Sequence, residues 1–187
     1  MNSGLREHIE KIIPLTDVEF EHVLSHFILK KFKKHQFLIQ EGEPVTFDFF
    51  VVSGLVKSSH TDEAGKQHIM QFAMEDWWIS DYQAYFSQTA ATLMVDCIED
   101  TEVFCLSLEN RERLCADLHK IEHFFRKKSN SGYIALQQRI LSLLNSSAKE
   151  RYVKLLGQYP SLFQRVPKTL LASYLGVSRE TLSRLSS

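Results

Sequence analysis

Between residues 37 and 106 the apolar side chains arrive in six short runs rich in β-branched and aromatic residues, and this spacing constrains the fold more than any other feature. The runs cover 37–39, 49–52, 55–56, 69–72, 93–95 and 103–106. Turn-forming stretches separate them, notably Glu41-Gly42-Glu43-Pro44, Ser53-Gly54 and Asp62-Glu63-Ala64-Gly65. Strands this short and this closely spaced predict a closed or double-sheet β architecture, not βαβ units.

On either side the apolar period changes to three and four. Thr16-Asp17-Val18-Glu19 has the pattern of a capping box and opens a helix predicted over 16–29, with Val18, Phe20, Val23, Leu24 and Phe27 at helical spacing. A basic patch, 30–34, follows it. Ser107 caps a short helix, and a longer apolar pattern then runs through Leu118, Ile121, Phe124, Phe125, Ile134, Leu136, Ile140, Leu143 and Leu144, with a polar centre at 126–132. A helix of that length buries one stripe on its own domain and leaves another for a partner helix. Ser147-Ala148-Lys149-Glu150 is a second capping box, and its helix is expected to close at Gly157 and Pro160.

Two short helical patterns meet at Gly176. In the first, Leu170, Leu171, Tyr174 and Leu175 form an apolar face, and Ala172 is small enough for a second helix to approach closely. Gly176 reaches the left-handed conformation that a sharp turn between packed helices requires. Ser178 is the N-cap of the next helix, whose Leu182 and Leu185 share one face while Arg179, Glu180, Ser183 and Arg184 share the other. Arg can grip guanine O6 and N7 together and Glu can accept from cytosine N4, so the outer row suits base readout in a major groove.

Charge segregates with this motif. The chain totals −1, yet residues 126–187 hold eleven Lys and Arg against Glu150 and Glu180, a balance of +9 that leaves −10 for residues 1–125. A basic C-terminal third on an acidic remainder fits a module that meets phosphate beside one that does not. At 187 residues and 44% hydrophobic content the chain can bury one good core and a smaller second one. No apolar run approaches the ~18 residues of a membrane span, and the N-terminal Met-Asn-Ser-Gly-Leu-Arg-Glu-His has no signal segment, so a cytoplasmic location is expected.

Cys97, Cys105 and Cys115 lack any C-x-x-C spacing and read as reduced core thiols. His119 and His123 are the pair singled out by ligand spacing, but no carboxylate on that face completes a site, Glu122 lying elsewhere, so no metal centre is expected. Nor is there a phosphate-cradling Gly-rich loop, H-E-x-x-H, G-x-S-x-G or plausible triad, so no enzyme is expected.

The order of parts resembles the Crp/Fnr superfamily of bacterial transcription regulators: an N-terminal helix, a β-roll with E-G-E-P and a later S-G turn, a long helix carrying R-I-L-S-L-L (139–144), and S-R-E-T-L-S-R (178–184). The resemblance spans nearly the whole chain and implies an α+β fold in three parts. These are a double-stranded β-helix (jelly-roll-like) sensor over 1–117, a long dimerisation helix over 118–146 and a small all-α helix-turn-helix domain over 147–187. It implies base contacts from Arg179, Glu180, Arg184 and Ser183 at the helix that Ser178 caps, and phosphate contacts from Lys168 and Thr169. The implied partners are double-stranded DNA, a second copy of the chain and RNA polymerase, with no membrane. Leu118, Ile121 and Phe125 are the expected dimer seam.

Departures from the family are equally informative. Cyclic-nucleotide-binding members carry F-G-E and later R-S or R-T before a small residue, because a buried cyclic phosphate needs N–H groups and a cation. Here the stretch 75–93 reads E-D-W-W-I-S-D-Y-Q-A-Y-F-S-Q-T-A-A-T-L, and no Arg or Lys occurs between Gln67 and Asn110. Asp76 and Asp81 would repel a phosphate, Ala90 or Ala91 stands where the cation belongs, and the adenine-contacting pair falls near Phe124 and Phe125. Cyclic nucleotide is therefore not expected as a ligand, and no cofactor is. Trp77, Trp78, Asp81, Tyr82, Phe124 and Phe125 are read either as lining an apolar pocket or as filling the core. The sequence stops two residues after Leu185, with Ser186-Ser187 where basic residues often continue the helix, so no β-hairpin wing and fewer phosphate contacts are expected.

Overall fold

The computed structural model describes residues 3–185; residues 1–2 and 186–187 lie outside the described residues. It divides into two units. One comprises Met1–His60 and Gln71–Ser129, the other Thr61–Met70 and Asn130–Ser187.

The first unit opens with α1 (Ser3–Glu10) and α2 (Asp17–Ser25). The predicted capping box is formed: Thr16 Oγ1 accepts from the Glu19 amide while the Glu19 carboxylate accepts from the Thr16 amide at 2.8 Å. This helix stops at Ser25, short of the expected Leu29, because 28–32 forms a strand. The strands are β1 (Ile28–Phe32), β2 (Phe37–Ile39), β3 (Phe47–Ser53), β4 (Val56–Thr61), β5 (Gln67–Ala73), β6 (Trp78–Ile79), β7 (Met94–Cys97) and β8 (Thr101–Ser107), with α3 (Tyr82–Ser87) between β6 and β7. They make two four-stranded sheets, ordered β1-β8-β3-β6 and β2-β7-β4-β5, whose registered pairs are antiparallel. The β-rich runs thus form the expected double sheet.

Strand alternation explains why β3 and β8 read as unbroken apolar runs. Phe49 and Val51, with Val103 and Cys105, face the interior of the roll, packed with Ile39, Val95 and Tyr85. Their neighbours Phe50, Phe104 and Leu106 point to the other face and pack under Leu5, Phe20, Val23 and Phe27 of the N-terminal helical segment. Gly54 joins β3 to β4 at φ +98°, where a Cβ would lie 2.5 Å from the Asp100 carbonyl oxygen, so both conformation and space demand glycine.

Ser107 caps α4 (Leu108–Asp117), and α5 (His119–Asn145) follows as one continuous helix of 27 residues. In the second unit Ser147 and Glu150 form the expected capping box of α6 (Ala148–Gln158). Gly157 does not close that helix, which runs to Gln158, and Pro160 begins α7 (Pro160–Arg165) at a first-turn position where its missing N–H costs nothing. The last two helices are α8 (Lys168–Leu175) and α9 (Arg179–Leu185).

Candidate nucleic-acid interface

The α8–α9 pair has the geometry its sequence requires. Leu171, Ala172, Leu175 and Leu182 are all buried, on the faces that the sequence pattern turns inward. Gly176 sits at φ +66°, ψ +37°, its N–H reaching the Ala172 and Ser173 carbonyls, and the Val177 N–H closes on the Ala172 carbonyl at 3.0 Å. Ser178 Oγ accepts the Thr181 amide at 3.1 Å and so caps α9. Opposite Leu182, Arg179, Glu180, Ser183 and Arg184 are exposed, as are Lys168 and Thr169 at the start of α8. All seven expected DNA-facing residues therefore lie on the α8–α9 surface, with Ser178 engaged as the cap.

The pKa of Glu180 is lowered by its own backbone N–H, then by the Ser178 hydroxyl, with Arg179 and Arg184 adding to the effect. A carboxylate among the free N–H groups of a helix start is favourably placed, and it remains an acceptor at neutral pH.

Two arginines counted in the basic third serve the unit's interior instead. Arg139, on α5, lies 3.7 Å over the Tyr174 ring and donates from one Nη to the carbonyls of Tyr174 and Ile69 at 3.1 and 3.0 Å. Its burial lowers the pKa against the pull of Tyr174. Arg151 Nε donates to the Leu175 carbonyl at 2.9 Å, satisfying the C-terminal end of α8 next to the turn. Ser173 Oγ donates to the Gln67 carbonyl at 2.8 Å and accepts from the Ile69 amide at 3.2 Å, which fastens the Thr61–Met70 hairpin to α8. Sequence reasoning passed over Ser173, whose partners are over a hundred residues away. With the hairpin included, this unit carries nine Lys and Arg against four Asp and Glu, so its surface stays basic after the two interior arginines are set aside.

In the first unit, the residues proposed for a pocket divide between two cores. Trp78, Phe124 and Phe125 pack ring on ring, with centroids 5.2 Å apart for Phe124–Phe125 and 6.0 Å for Trp78–Phe125, on the helical side of the sheet. Trp77 packs against the roll interior, and Tyr82 stacks on Phe86 at 6.1 Å. The positions near which adenine contacts would be expected from the family resemblance, Phe124 and Phe125, are thus buried aromatic rings.

Asp81 has a structural role that its charge alone does not reveal. It is 1% exposed and caps α3 by accepting from the Ala84 amide at 3.2 Å, while its other oxygen accepts from the Thr92 amide, the Thr92 hydroxyl and the Leu93 amide at 2.7, 3.0 and 3.0 Å. The N–H groups of this loop are therefore already turned onto an anion of the chain itself. Asp76 lies outside, paired with Lys11 at 3.0 Å. The buried cations of the unit are also paired, Lys57 with Asp96 and Arg111 with Asp48.

The expected dimer seam requires a correction. Ile121 and Phe125 are 1% and 6% exposed and belong to their own chain's core, against which Leu118 also packs. The apolar surface of α5 that stays open lies further on, at Tyr133, Ile134, Leu136, Ile140, Leu141, Leu143 and Leu144. A second correction concerns His119, which Glu122 does reach, at 3.3 Å. His123 Nδ1 is engaged by Arg126 instead, so the two histidines do not share a carboxylate. Cys97 and Cys105 are buried and all three cysteines are free, with burial pushing the thiols of Cys97 and Cys105 up to about 11 and about 12.

An antiparallel double sheet with a helical layer, a long helix, and a terminal unit containing a helix-turn-helix make up a fold that the chain shares with solved structures of Crp/Fnr-type regulators. Residues 29–117 match the cyclic nucleotide-binding domain family. Over 185 residues the chain is 23% identical to the cAMP-activated global transcriptional regulator CRP of Escherichia coli O6:H1, covering 92% of this chain and 87% of that one. Among solved structures it is similar to FixK2 from Bradyrhizobium japonicum, with a TM-score of 0.72 at 19% identity over 86% of this chain and 82% of that one. It is also similar to CLP of Xanthomonas campestris, described as a c-di-GMP responsive global regulator, with a TM-score of 0.73 at 15% identity over 91% and 89%.

Proposed function

We propose that the chain is a homodimeric, cytoplasmic DNA-binding regulator of transcription, without enzymatic activity, that reads a pseudo-palindromic operator through α9. The observation that carries this reading is the exposed row Arg179, Glu180, Ser183 and Arg184, set opposite a buried Leu182 by the Gly176 turn. Such a row can enter a major groove N-terminus first, where Arg184 and Glu180 would contact base edges while Lys168 and Thr169 hold phosphate. One seven-residue helix reads only a few base pairs. Two copies spaced one helical turn apart, ~34 Å, multiply the specificity.

The exposed stripe of α5 supplies the surface for pairing. Tyr133, Leu136, Ile140 and Leu143 follow one another at steps of three, four and three, the a/d spacing of a two-helix seam, and all are more than two-fifths exposed in the single chain. RNA polymerase is a further partner of such a regulator once it sits at a promoter. The sensor role of the β-roll is re-purposed in this reading: with Asp81 seated on the loop N–H groups and no Arg or Lys between Gln67 and Asn110, a cyclic phosphate lacks both its donors and its cation.

Selection of binding sites from random DNA, followed by affinity measurement across a salt series, tests the function. Arg184→Ala or Glu180→Ala should cost ~1–3 kcal/mol on the selected site and relax its sequence preference, whereas Lys168→Ala should weaken all sequences alike and flatten the salt dependence. Equal losses on selected and random DNA for all three would refute the base-reading assignment. Failure to select any site would favour a ligand-binding or protein-interaction module.

A further inference from the structure

We infer that His22, His26 and Asp117 form a binding site for a divalent transition-metal ion of the zinc type, joining the end of α2 to the end of α4. One ligand-type atom from each residue lies within 4.8 Å of the other two. His22 and His26 are four residues apart on one helical face, with their rings 4.9 Å apart. Asp117, the last residue of α4, reaches them from a distant part of the sequence, its carboxylate 3.0 Å from His22 Nε2. The His22–Asp117 separation is close to the ~3.3 Å between ligands bound at ~2.0–2.1 Å in a tetrahedron, and the set as a whole spans no more than 4.8 Å.

Two further features suit coordination. His26 Nδ1 lies 3.0 Å from the His22 carbonyl oxygen, an acceptor that places the proton on Nδ1 and leaves the lone pair on Nε2. A ring N–H held by a backbone carbonyl is the usual arrangement behind a metal-bound imidazole, because it fixes tautomer and orientation. The site is also open enough to load, with His22 40% and Asp117 52% exposed at the side chain. Solvent can supply the remaining ligand, and a small rotation of a half-exposed side chain closes the widest separation. Two imidazoles and one carboxylate suit zinc and its borderline neighbours, not calcium or magnesium, which prefer all-oxygen shells. The bound ion would tie α2 to the point where α4 gives way to α5, two residues before His119.

The test uses the full-length chain, free of affinity tag and stripped with chelator, titrated with Co²⁺ and then Zn²⁺. The expected result is one Co²⁺ per chain with the visible absorption of a four-coordinate nitrogen and oxygen site, displaced by Zn²⁺. His22→Ala, His26→Ala and Asp117→Asn should each weaken binding about tenfold or more, and His119→Ala should leave it unchanged. In the unaltered protein, Zn²⁺ should protect His22 and His26 from carbethoxylation, read by mass spectrometry, which keeps the test independent of how well any variant folds. Binding that survives His22→Ala and Asp117→Asn, a thiolate charge-transfer band, equal modification of His22 and His26 with and without Zn²⁺, or no binding at tens of micromolar metal would each overturn the site.

Discussion

Alanine in place of Gly54 and of Gly176 should have sharply different consequences, although both glycines have positive φ. At Gly176 the backbone lies in the ordinary left-handed well, and a new Cβ would meet only Leu143 Cδ2 at 3.5 Å and an Arg151 nitrogen at 4.0 Å, both normal contacts. The cost is then conformational, ~1–2 kcal/mol for a non-glycine residue in that well. Restriction of the unfolded chain returns ~0.4–1 kcal/mol of it, for a net loss of about 1 kcal/mol. At Gly54 the φ of +98° is less accessible still, and the Cβ would lie 2.5 Å from both the Asp100 carbonyl oxygen and Thr101 Oγ1 and 2.8 Å from Thr101 Cα. Two of those atoms are backbone at the start of β8, and Thr101 is buried, so relief means moving the end of β8 where Thr101 pairs with Phe32 of β1. Overpacking of ~1–3 kcal/mol added to the same net conformational cost gives about 3 kcal/mol. Urea unfolding separates the two, because both tryptophans, Trp77 and Trp78, lie in the unit that contains Gly54 and report its melting by fluorescence. With m near 2 kcal/mol/M, Gly54→Ala should lower the fluorescence midpoint by about 1.5 M. Gly176→Ala should shift only the helical far-UV signal, by about 0.5 M, and Gly176→Asn by less, since Asn tolerates the left-handed well. A Gly54→Ala variant no less stable than Gly176→Ala would refute the steric argument.

Leu136→Asp or Ile140→Asp should convert a dimer to monomer in sedimentation equilibrium without unfolding the chain, because both positions are about half exposed in the monomer; an unchanged dimer would place the interface elsewhere. Ile121→Asp should instead unfold the first unit, since its side chain is enclosed in the core. His8, buried against Phe50, Trp78 and Phe124 with Nδ1 unpartnered, has its pKa pushed down to about 4 by burial, with Lys128 adding to the effect. The unfolded chain therefore binds the extra proton first, and this group's contribution, ~2–3 kcal/mol, is complete above pH ~6.5 and lost as pH falls toward 4. Asp48, pushed up to about 7 by burial against the pull of Arg111, works in the opposite sense over the same range, so the His8 share is read as the difference between the unaltered protein and His8→Phe across a pH series of melts. A His8→Phe profile parallel to the original would disprove it. Cyclic AMP and cyclic GMP should neither bind at millimolar concentration in calorimetry nor alter DNA affinity. Micromolar binding that changes operator affinity would mean that a cation reaches the loop around Asp81 from elsewhere in the chain.

What could be read from sequence was what depends on neighbours within a few residues. The change of period at Ser107, both capping boxes, the strands of the roll and the Gly176 turn are set by local spacing and backbone preference, and the structure contains each of them. The same reading overlooked β1, because Ile28-Leu29-Lys30-Lys31-Phe32 is a largely exposed edge strand whose lysines hide its pattern; its evidence is the partner, β8. Tertiary structure also decided which stripe of the long helix is free. Periodicity marks apolar positions without saying what covers them, and the N-terminal helices cover Ile121 and Phe125 while Leu136 and Ile140 stay open. Asp81 follows the same rule: its negative charge is in the sequence, but the amides of Thr92 and Leu93 that make it a fixed anion of the loop come from chain closure. Arg139, counted among the basic residues, is turned inward by Tyr174, and His22 and His26 gain their carboxylate only where the end of α4 meets α2. In each case the deciding contact joins residues far apart in the chain, and periodicity within a segment carries no information about which distant segment will lie against it.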